Sequence, residues 1–218
     1  MKGLIINNFY SVGSTLKWTI GISIIINIAV MIGAVVYPTI IDILPVLMLA
    51  QIGAFVGLIG TALQKDSTSK WSKFERTLPV RVCDIIKARY ISFLIFSAIG
   101  VGLATITVVV MSIASMESMN FERVGYGYGF GITFALLVPA IMYPLILRFG
   151  ADKSEILLMV SVLVVTCLFF AGSALIGPYL ENLQSSDIIY RLGWITISVA
   201  CFIGSYFISL SIYKRKQL

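Results

Sequence analysis

The sequence has 218 residues, a net charge of +6 at pH 7 and no histidine; 59% of its residues are hydrophobic and 12% are charged. Ordinary soluble domains are about 45–50% apolar and about 25% charged, so this composition indicates a membrane protein. The lack of histidine excludes most zinc sites and histidine-activated nucleophiles, and no pair of carboxylates falls inside an apolar stretch. We therefore expect a protein that is not an enzyme and that binds no cofactor itself.

Six stretches of at least twenty residues contain no Asp, Glu, Lys or Arg. A helix rises about 1.5 Å per residue and the hydrocarbon core of a bilayer is about 30 Å thick, so about 20 apolar residues cross it once. The sequence therefore predicts a single all-α domain over residues 1–218, an integral membrane bundle of six transmembrane helices. The predicted spans are residues 18–37, 43–64, 90–116, 124–147, 156–180 and 192–213.

The basic residues are divided unequally among the gaps between these spans. Fourteen lie before span one, between spans two and three, between spans four and five, and in the tail, whereas two, Arg123 and Arg191, lie in the other gaps. Because Lys and Arg are retained on the cytoplasmic side, this distribution predicts that both termini are cytoplasmic. The positive charge thus reports orientation, and we expect no nucleic acid partner.

The first 17 residues mix apolar and polar side chains in a pattern typical of an amphipathic helix on the inner leaflet. Lys17 and Trp18 are expected to mark the interface where the chain turns into span one. The sequence therefore predicts an N-terminal interfacial helix, separate from that span and in contact with membrane lipid.

Polar residues recur inside spans one and two. Thr19, Ser23 and Asn27 are spaced four residues apart on span one, and Gln51 lies in span two. Hydrogen bonds between helices are one interpretation, since such bonds stabilise membrane helices by about 0.6 kcal/mol on average. The lining of a translocation path is the other.

The longest gap, residues 65–89, is also the most charged part of the chain. Ser72 followed by Glu75 matches a helix capping box, and Pro79 breaks the helix that this box would begin. A second amphipathic segment then leads into span three. The gap is interpreted either as a juxtamembrane helix resting on lipid headgroups or as a cytoplasmic coupling helix that docks a partner. One face of the first segment is formed by Trp71, Phe74 and Leu78.

Glycines recur at spacings that let membrane helices approach closely. Gly53 and Gly57 form a G-x-x-x-G in span two, which predicts packing within the chain or a dimer seam. Four more alternate with aromatic residues at the outer start of span four: Gly125, Gly127, Gly129 and Gly131. Residues 127 and 131 share one helix face, as do residues 125 and 129. Close packing is one interpretation of these four glycines, and a flexible outer gate or a stacking surface for an exported substrate is the alternative.

The stretch from Asp66 to Tyr90 also carries a family resemblance. Its Glu-Arg-Thr-Leu-Pro-Val run at residues 75–80, with Trp71 before it and Asp-Ile-Ile at 84–86 after it, resembles the second cytoplasmic segment of ABC-2 type transporter permeases. The opening Met-Lys-Gly-Leu-Ile is similar to the start of the small six-span bacterial half-transporters of this family, and the closest analogy is with exporters of phenol-soluble modulins and antimicrobial peptides. The resemblance covers essentially the whole chain.

The resemblance implies a bacterial plasma membrane exporter in which two permease chains, like or unlike, enclose the pathway for an amphipathic peptide or lipid-like substrate. Two separate cytoplasmic ATPase subunits would bind ATP and Mg²⁺, which agrees with the lack of a G-x-x-x-x-G-K-[ST] signature in this sequence. Residues 172–187, between the last two spans, are expected to form short re-entrant helices. Six residues are expected to couple ATPase motion to the spans: Trp71, Phe74, Glu75, Arg76, Leu78 and Pro79.

Two other functions stay open on the sequence. A non-transporting membrane immunity or assembly protein would recruit a cytoplasmic partner through the same segment. A channel is the third possibility, but the sequence has no ring-forming acidic or carbonyl filter motif.

Overall fold

The computed structural model describes residues 2–36, 42–69, 81–114, 121–180 and 186–215. Within these ranges every regular element is helical, and six helices are long and apolar enough to cross a membrane. The predicted all-α bundle of six membrane helices is thereby confirmed. The helices are α1 (Lys2–Val36), α2 (Leu44–Thr68), α3 (Val82–Ala114), α4 (Phe121–Phe149), α5 (Ser154–Leu180) and α6 (Ser186–Arg215), with a 3₁₀ turn at Ala151–Lys153 before α5.

Helix α1 differs from the expectation. It is one continuous helix of 35 residues, so the predicted change of direction at Lys17 is wrong. Its first half lies against the bundle, because the side chain of Asn8 donates a hydrogen bond to Ser92 of α3 and the ring of Phe9 lies 4.7 Å from that of Phe96. These contacts join the first half of α1 to α3, and the predicted interfacial segment is continuous with the first membrane helix.

Other helices extend past their charge-free stretches. Helix α3 begins at Val82, well before the predicted start at residue 90, and α6 begins at Ser186 instead of residue 192. These two predicted spans stop at the nearest charged residue, because each is a stretch without charge. The backbone hydrogen bonds of each helix continue through the charged turns. Helix α5 continues unbroken through Gly172 to Leu180, so a re-entrant turn within that stretch is wrong, and residues 181–185 lie outside the described ranges.

Helices α2 and α4 form the centre of the bundle. Helix α4 packs against α2, α5 and α6, and α2 also packs against α1 and α3. Helices α1 and α5 lie at the periphery and expose rows of apolar side chains, as expected for helices that face lipid or another protein chain. The central helices contribute most of the large, fully buried side chains, among them Met48, Ile52, Phe55, Val138 and Met142.

Successive helices run in opposite directions, which gives the bundle two distinct ends. At one end, the end of α2 meets the start of α5, where the Gln64 amide donates a hydrogen bond to the Glu155 carboxylate at 3.0 Å. This end also carries the start of α1 and most of the Lys and Arg residues, and we call it the basic end. At the opposite end, Arg123 of α4 forms an ion pair with Asp42, which precedes α2.

Two prolines lie inside the continuous helix α4. A proline lacks the N–H that would bond to the carbonyl four residues earlier, so Pro139 leaves the carbonyl of Ala135 without its helical donor. The hydroxyl of Ser97 in α3 donates to that carbonyl at 3.3 Å. A serine from a neighbouring helix thus replaces the missing backbone donor, as membrane bundles commonly allow.

The second proline is compensated in the same way. Pro144 frees the carbonyl of Ala140, and the hydroxyl of Ser205 in α6 donates to it at 2.5 Å. The hydroxyl of Ser205 donates its only hydrogen to this carbonyl, so it accepts a hydrogen bond from the hydroxyl of Tyr90 at 2.7 Å. The hydroxyl of Tyr90 then accepts a hydrogen bond from the hydroxyl of Ser209 at 2.9 Å. A directed chain of hydroxyl groups therefore joins α3, α6 and the proline-interrupted part of α4.

Candidate coupling and transport sites

The six predicted coupling residues lie outside the described residues, in the segment 70–80. Their role in coupling stays a prediction. The structure does describe the two helices between which this segment runs, since α2 ends at Thr68 and α3 begins at Val82. The contacts between these two helix ends determine how the segment is anchored. The six predicted coupling residues in this segment are Trp71, Phe74, Glu75, Arg76, Leu78 and Pro79.

A buried group of polar side chains joins these helix ends to α1. Arg89 of α3 forms an ion pair with Asp66 of α2, and both side chains are 8% exposed. The guanidinium of Arg89 also donates to the side-chain oxygen of Asn8 in α1 at 2.6 Å. Asn8 donates to Ser92 at 2.9 Å, and Ser92 donates to the carbonyl of Ala88. We call Asn8, Asp66, Arg89 and Ser92 the basal clamp, because they lie together at the basic end.

The burial of the basal clamp determines how firmly it holds. Two ions taken out of water lose their hydration, and their mutual attraction offsets this loss only while both partners stay in contact. Removing one partner of such a buried pair costs about 3–5 kcal/mol, because the other charge is left uncompensated. The end of α2 before the segment 70–80 and the helix α3 after it are therefore joined to each other and to α1 by contacts that cost much free energy to break.

Sequence reasoning did not identify the basal clamp, although a signal was present. Asp66 and Arg89 have opposite charges and flank the charge-free stretches of two consecutive spans at the same end of the bundle. Consecutive antiparallel helices are usually neighbours, so such a pair is a candidate ion pair. The sequence did not indicate the role of Asn8, because the pattern of residues 1–17 predicts a helix on the lipid surface and not one within the bundle.

The polar residues of α1 are placed inside the bundle. Ser23 and Asn27 are 3% and 6% exposed, and the Asn27 amide donates to the backbone carbonyl of Ser23 at 2.9 Å. The hydroxyl of Thr19 donates to the carbonyl of Thr15 in the same helix at 2.9 Å. These bonds stay within α1, so they stabilise side-chain positions but do not join helices.

The amide of Gln51 makes the bond between helices at this level. Thr107 of α3 donates to the side-chain oxygen of Gln51 at 2.8 Å, and both residues are buried. Asn27 faces the same part of α3, where it lines a small cavity of about 150 Å³ together with apolar residues such as Leu103 and Ile106. Asn27 of α1 and Gln51 of α2, two of the four predicted translocation residues, therefore lie close to one short stretch of α3.

The glycines at the start of α4 face two different helices. A methyl group at Gly127 would lie 2.7 Å from the sulfur of Met48 in α2, and one at Gly131 would collide with Ile52 of the same helix. These two glycines thus lie on the face that packs against α2. They leave room for side chains that belong to the buried core.

The other two glycines face α6 at the end of the bundle opposite the basic end. A methyl group at Gly125 would collide with the guanidinium of Arg191, and one at Gly129 would lie 3.1 Å from the Cγ atom of the same side chain. Arg191 lies across this notch, with its guanidinium 4.6 Å above the ring of Tyr126 and a hydrogen bond of 3.2 Å to the carbonyl of Glu122. Because Gly125 and Gly129 have no side chains, they leave room for Arg191 between α4 and α6.

The described helices define a multi-pass membrane protein, with polar contacts at the basic end, in the middle and at the opposite end. The family model for ABC-2 family transporter proteins matches residues 3–214, so the chain belongs to the ABC-2 transporter family as a membrane-spanning permease component. The family resemblance seen in the sequence is thereby confirmed.

The chain is also similar to a protein of Vibrio parahaemolyticus named multidrug resistance protein MdtL. The two are 27% identical over 157 residues, which is 72% of this chain and 39% of that protein. The match therefore spans about two fifths of the length of that relative. No solved structure matches the chain.

Proposed function

We propose that this chain is the membrane-spanning subunit of an ATP-driven exporter of bacterial plasma membranes, powered by separate cytoplasmic ATPase subunits. The basal clamp is the observation that carries this proposal. A segment that receives force from a motor must be anchored stiffly, since a loose loop would absorb the motion. Buried contacts among Asn8, Asp66 and Arg89 supply such an anchor between α2, which precedes the segment 70–80, and α3, which follows it.

Force would enter the bundle through this anchor. By the positive-inside rule the basic end would lie in the cytoplasm, where an ATPase subunit would bind ATP and Mg²⁺ and contact the coupling residues. Trp71, Phe74 and Leu78 would occupy a cleft of that subunit with Pro79 ending the coupling helix, and Glu75 and Arg76 would pair with its charged groups. Closure of two ATPase subunits around ATP would then move α2 and α3 together, and α1 with them.

The cargo in this proposal is an amphipathic peptide or a lipid-like molecule that enters from the cytoplasm or the inner leaflet. The apolar surface of the helices suits the apolar side of such a substrate, and the polar residues of α1 and α2 suit its polar side. A second permease chain, like or unlike this one, would cover part of the exposed peripheral helices. The name of the similar Vibrio protein, which refers to multidrug resistance, is compatible with export.

A non-transporting immunity or assembly protein is the rival proposal. The basal clamp would serve equally well to hold a rigid docking platform for a cytoplasmic partner that moves no cargo. The two proposals differ in one measurable property, because an exporter must hydrolyse ATP faster when its substrate is present, whereas a docking platform has no such response.

Copurification with the ATPase subunit tests the coupling assignment. Trp71→Ala and Arg76→Glu remove an interface anchor and reverse a charge, and each should release the ATPase subunit from the purified complex. Arg123→Glu reverses a charge at the opposite end and serves as the matched control, which should retain the ATPase subunit. Full binding and full substrate-stimulated hydrolysis in both Trp71→Ala and Arg76→Glu would show that the assignment is wrong.

A further inference from the structure

Lys17 occupies an unusual place for a charged residue. It is the only charged residue of α1 after Lys2, and it lies nine residues beyond Asn8, about 13 Å farther along the helix than the basal clamp. Beside it, Leu16 packs against a buried apolar cluster that contains Phe55 of α2. The backbone of α1 therefore carries Lys17 to the level of the apolar core.

The side chain of Lys17 lies on the outer surface of the bundle. It is exposed, and no carboxylate in the part of the chain that the structure describes forms an ion pair with it. Helical side chains lean toward the N-terminus of their helix, so its ammonium group reaches back over Ser14 and Tyr10 toward the basic end. At the edge of the hydrocarbon layer such an ammonium group needs water or an anion beside it.

A groove runs along this face of α1 and has a volume of about 490 Å³. Gly13 forms its floor, and a methyl group placed on Gly13 would meet no atom within 4 Å, so the space above it is open. The groove contains two hydroxyl groups, one ammonium group and no carboxylate among its lining residues. Those residues are Ile6, Phe9, Tyr10, Gly13, Ser14 and Lys17, which we call the Lys17 face.

The surface of α1 changes character beyond Lys17. Trp18, Ile22 and Ile25 are 73%, 53% and 65% exposed and are followed by further exposed isoleucines. Toward the basic end, this face of the helix offers the polar groove, and beyond Lys17 the large exposed side chains are apolar. This order, polar first and apolar second, is the order of groups in a lipid of the leaflet at the basic end.

We propose that the Lys17 face binds a phospholipid with an anionic headgroup from that leaflet. The phosphate meets the ammonium group of Lys17 and accepts hydrogen bonds from the hydroxyl groups of Ser14 and Tyr10. The acyl chains lie along Trp18 and Ile22. Charge complementarity selects an anionic headgroup over a zwitterionic one, since the quaternary ammonium of phosphatidylcholine would be repelled by Lys17 and the groove supplies no carboxylate to attract it.

The same charge argues against a second copy of this chain as the occupant. A symmetric dimer through this face would bring two copies of Lys17 together, because a twofold interface uses the same patch on both chains. The lining residues include no acid that could separate the two charges. An anionic lipid compensates the positive charge of Lys17, whereas a second copy of the chain adds a second uncompensated positive charge.

Lipid retention by the purified chain tests the proposal. Wild-type protein in detergent is titrated with phosphatidylglycerol or phosphatidylcholine, and bound lipids are counted by native mass spectrometry. Lys17→Gln removes the charge and Gly13→Leu fills the groove, and each should lower the apparent affinity for phosphatidylglycerol about tenfold, as expected for one charge-assisted contact. Lys17→Arg keeps the charge, and Gly102→Leu adds the same side chain at an open position of α3; both should bind as wild type does.

A photoreactive phenylalanine at position 6 identifies the occupant directly, since Ile6 is 54% exposed and lines the groove. An adduct with phosphatidylglycerol that is lost in Gly13→Leu supports the proposal. Cross-linking to a second copy of the chain, or to an amphipathic peptide in preference to lipid, overturns it. Equal affinity of wild type and Lys17→Gln for phosphatidylglycerol, or equal affinity of wild type for the two lipids, also overturns it.

Discussion

The hydroxyl of Ser205 donates a hydrogen bond of 2.5 Å to the carbonyl of Ala140, which Pro144 has deprived of its helical donor. In a bilayer no water can replace such a bond, so an unpaired carbonyl is costly there. We predict that Ser205→Ala lowers the free energy of unfolding by about 1–2 kcal/mol. Denaturant titration of the purified protein in detergent measures this change.

Pro144→Ala tests the assigned cause. With alanine at this position, the backbone N–H can bond to the carbonyl of Ala140, so the Ser205→Ala substitution should cost less in this background. Ser209→Ala is the control, because it removes a contact of Tyr90 without touching Ala140, and Pro144→Ala should not change its cost. If Ser205→Ala costs the same in the wild-type and Pro144→Ala backgrounds, the freed carbonyl is not the reason for the loss.

The ion pairs Arg89–Asp66 and Arg123–Asp42 should differ in strength because they differ in burial. Arg89→Gln leaves Asp66 buried without its partner and should lower the free energy of unfolding by about 3 kcal/mol. Arg123→Gln breaks the pair with Asp42, whose side chains are 49% and 64% exposed, and should cost less than about 1 kcal/mol. Equal losses in the two variants, measured by the same denaturant titration, would contradict the role given to burial.

Substitution of individual glycines by alanine tests where two helices approach each other closely. A methyl group at Gly100 of α3 would lie 3.1 Å from the Cβ atom of Phe55 and 3.3 Å from the backbone of Ile52, and neither can move freely. Gly100→Ala should therefore lower the free energy of unfolding by about 1–3 kcal/mol. Gly57→Ala meets open space and should raise it by up to about 1 kcal/mol through helix propensity. A stabilising Gly100→Ala would refute the close packing of α2 and α3 at this point.

The number and approximate position of the membrane helices could be predicted from the sequence, because the cost of burying charge marks each span. The ends of the helices could not, since the turns at Val82 and Ser186 are charged yet helical. The path of α1 was predicted wrongly for a related reason. Its first half has the composition of a surface helix, and only contacts such as Asn8 with Ser92, which join distant parts of the sequence, place it in the bundle.

For the candidate sites as well, the sequence predicted which residues share a helix face but not which other helices they contact. Spacing alone predicted that Gly127 and Gly131 share one helix face and Gly125 and Gly129 another, and the structure agrees. It could not predict which helices those faces meet, or that Arg191 fills the second notch. The G-x-x-x-G of α2 shows the limit of spacing, since a methyl group at its second glycine would meet nothing within the described chain. A methyl group at Gly100, which belongs to no G-x-x-x-G, would meet both Phe55 and Ile52.

Asn8 offers a test of how motion would travel from the basal clamp into α1. Asn8→Ala removes the 2.6 Å bond from Arg89 to α1 but leaves the ion pair of Arg89 with Asp66 in place. In the reconstituted exporter that we propose, this variant should keep ATPase binding and basal hydrolysis. The amount of substrate moved per ATP should fall about fivefold, because α1 no longer moves with α2 and α3.

Asn7→Ala is the matched control, since it removes the same side chain one position away, outside the basal clamp. Its transport per ATP should equal that of wild type. A loss of ATPase binding in Asn8→Ala would instead mean that the contact shapes the docking surface, and unchanged transport would mean that α1 does not carry the motion. The ratio of transport to hydrolysis distinguishes these results from a general loss of stability, because destabilised protein lowers both rates together.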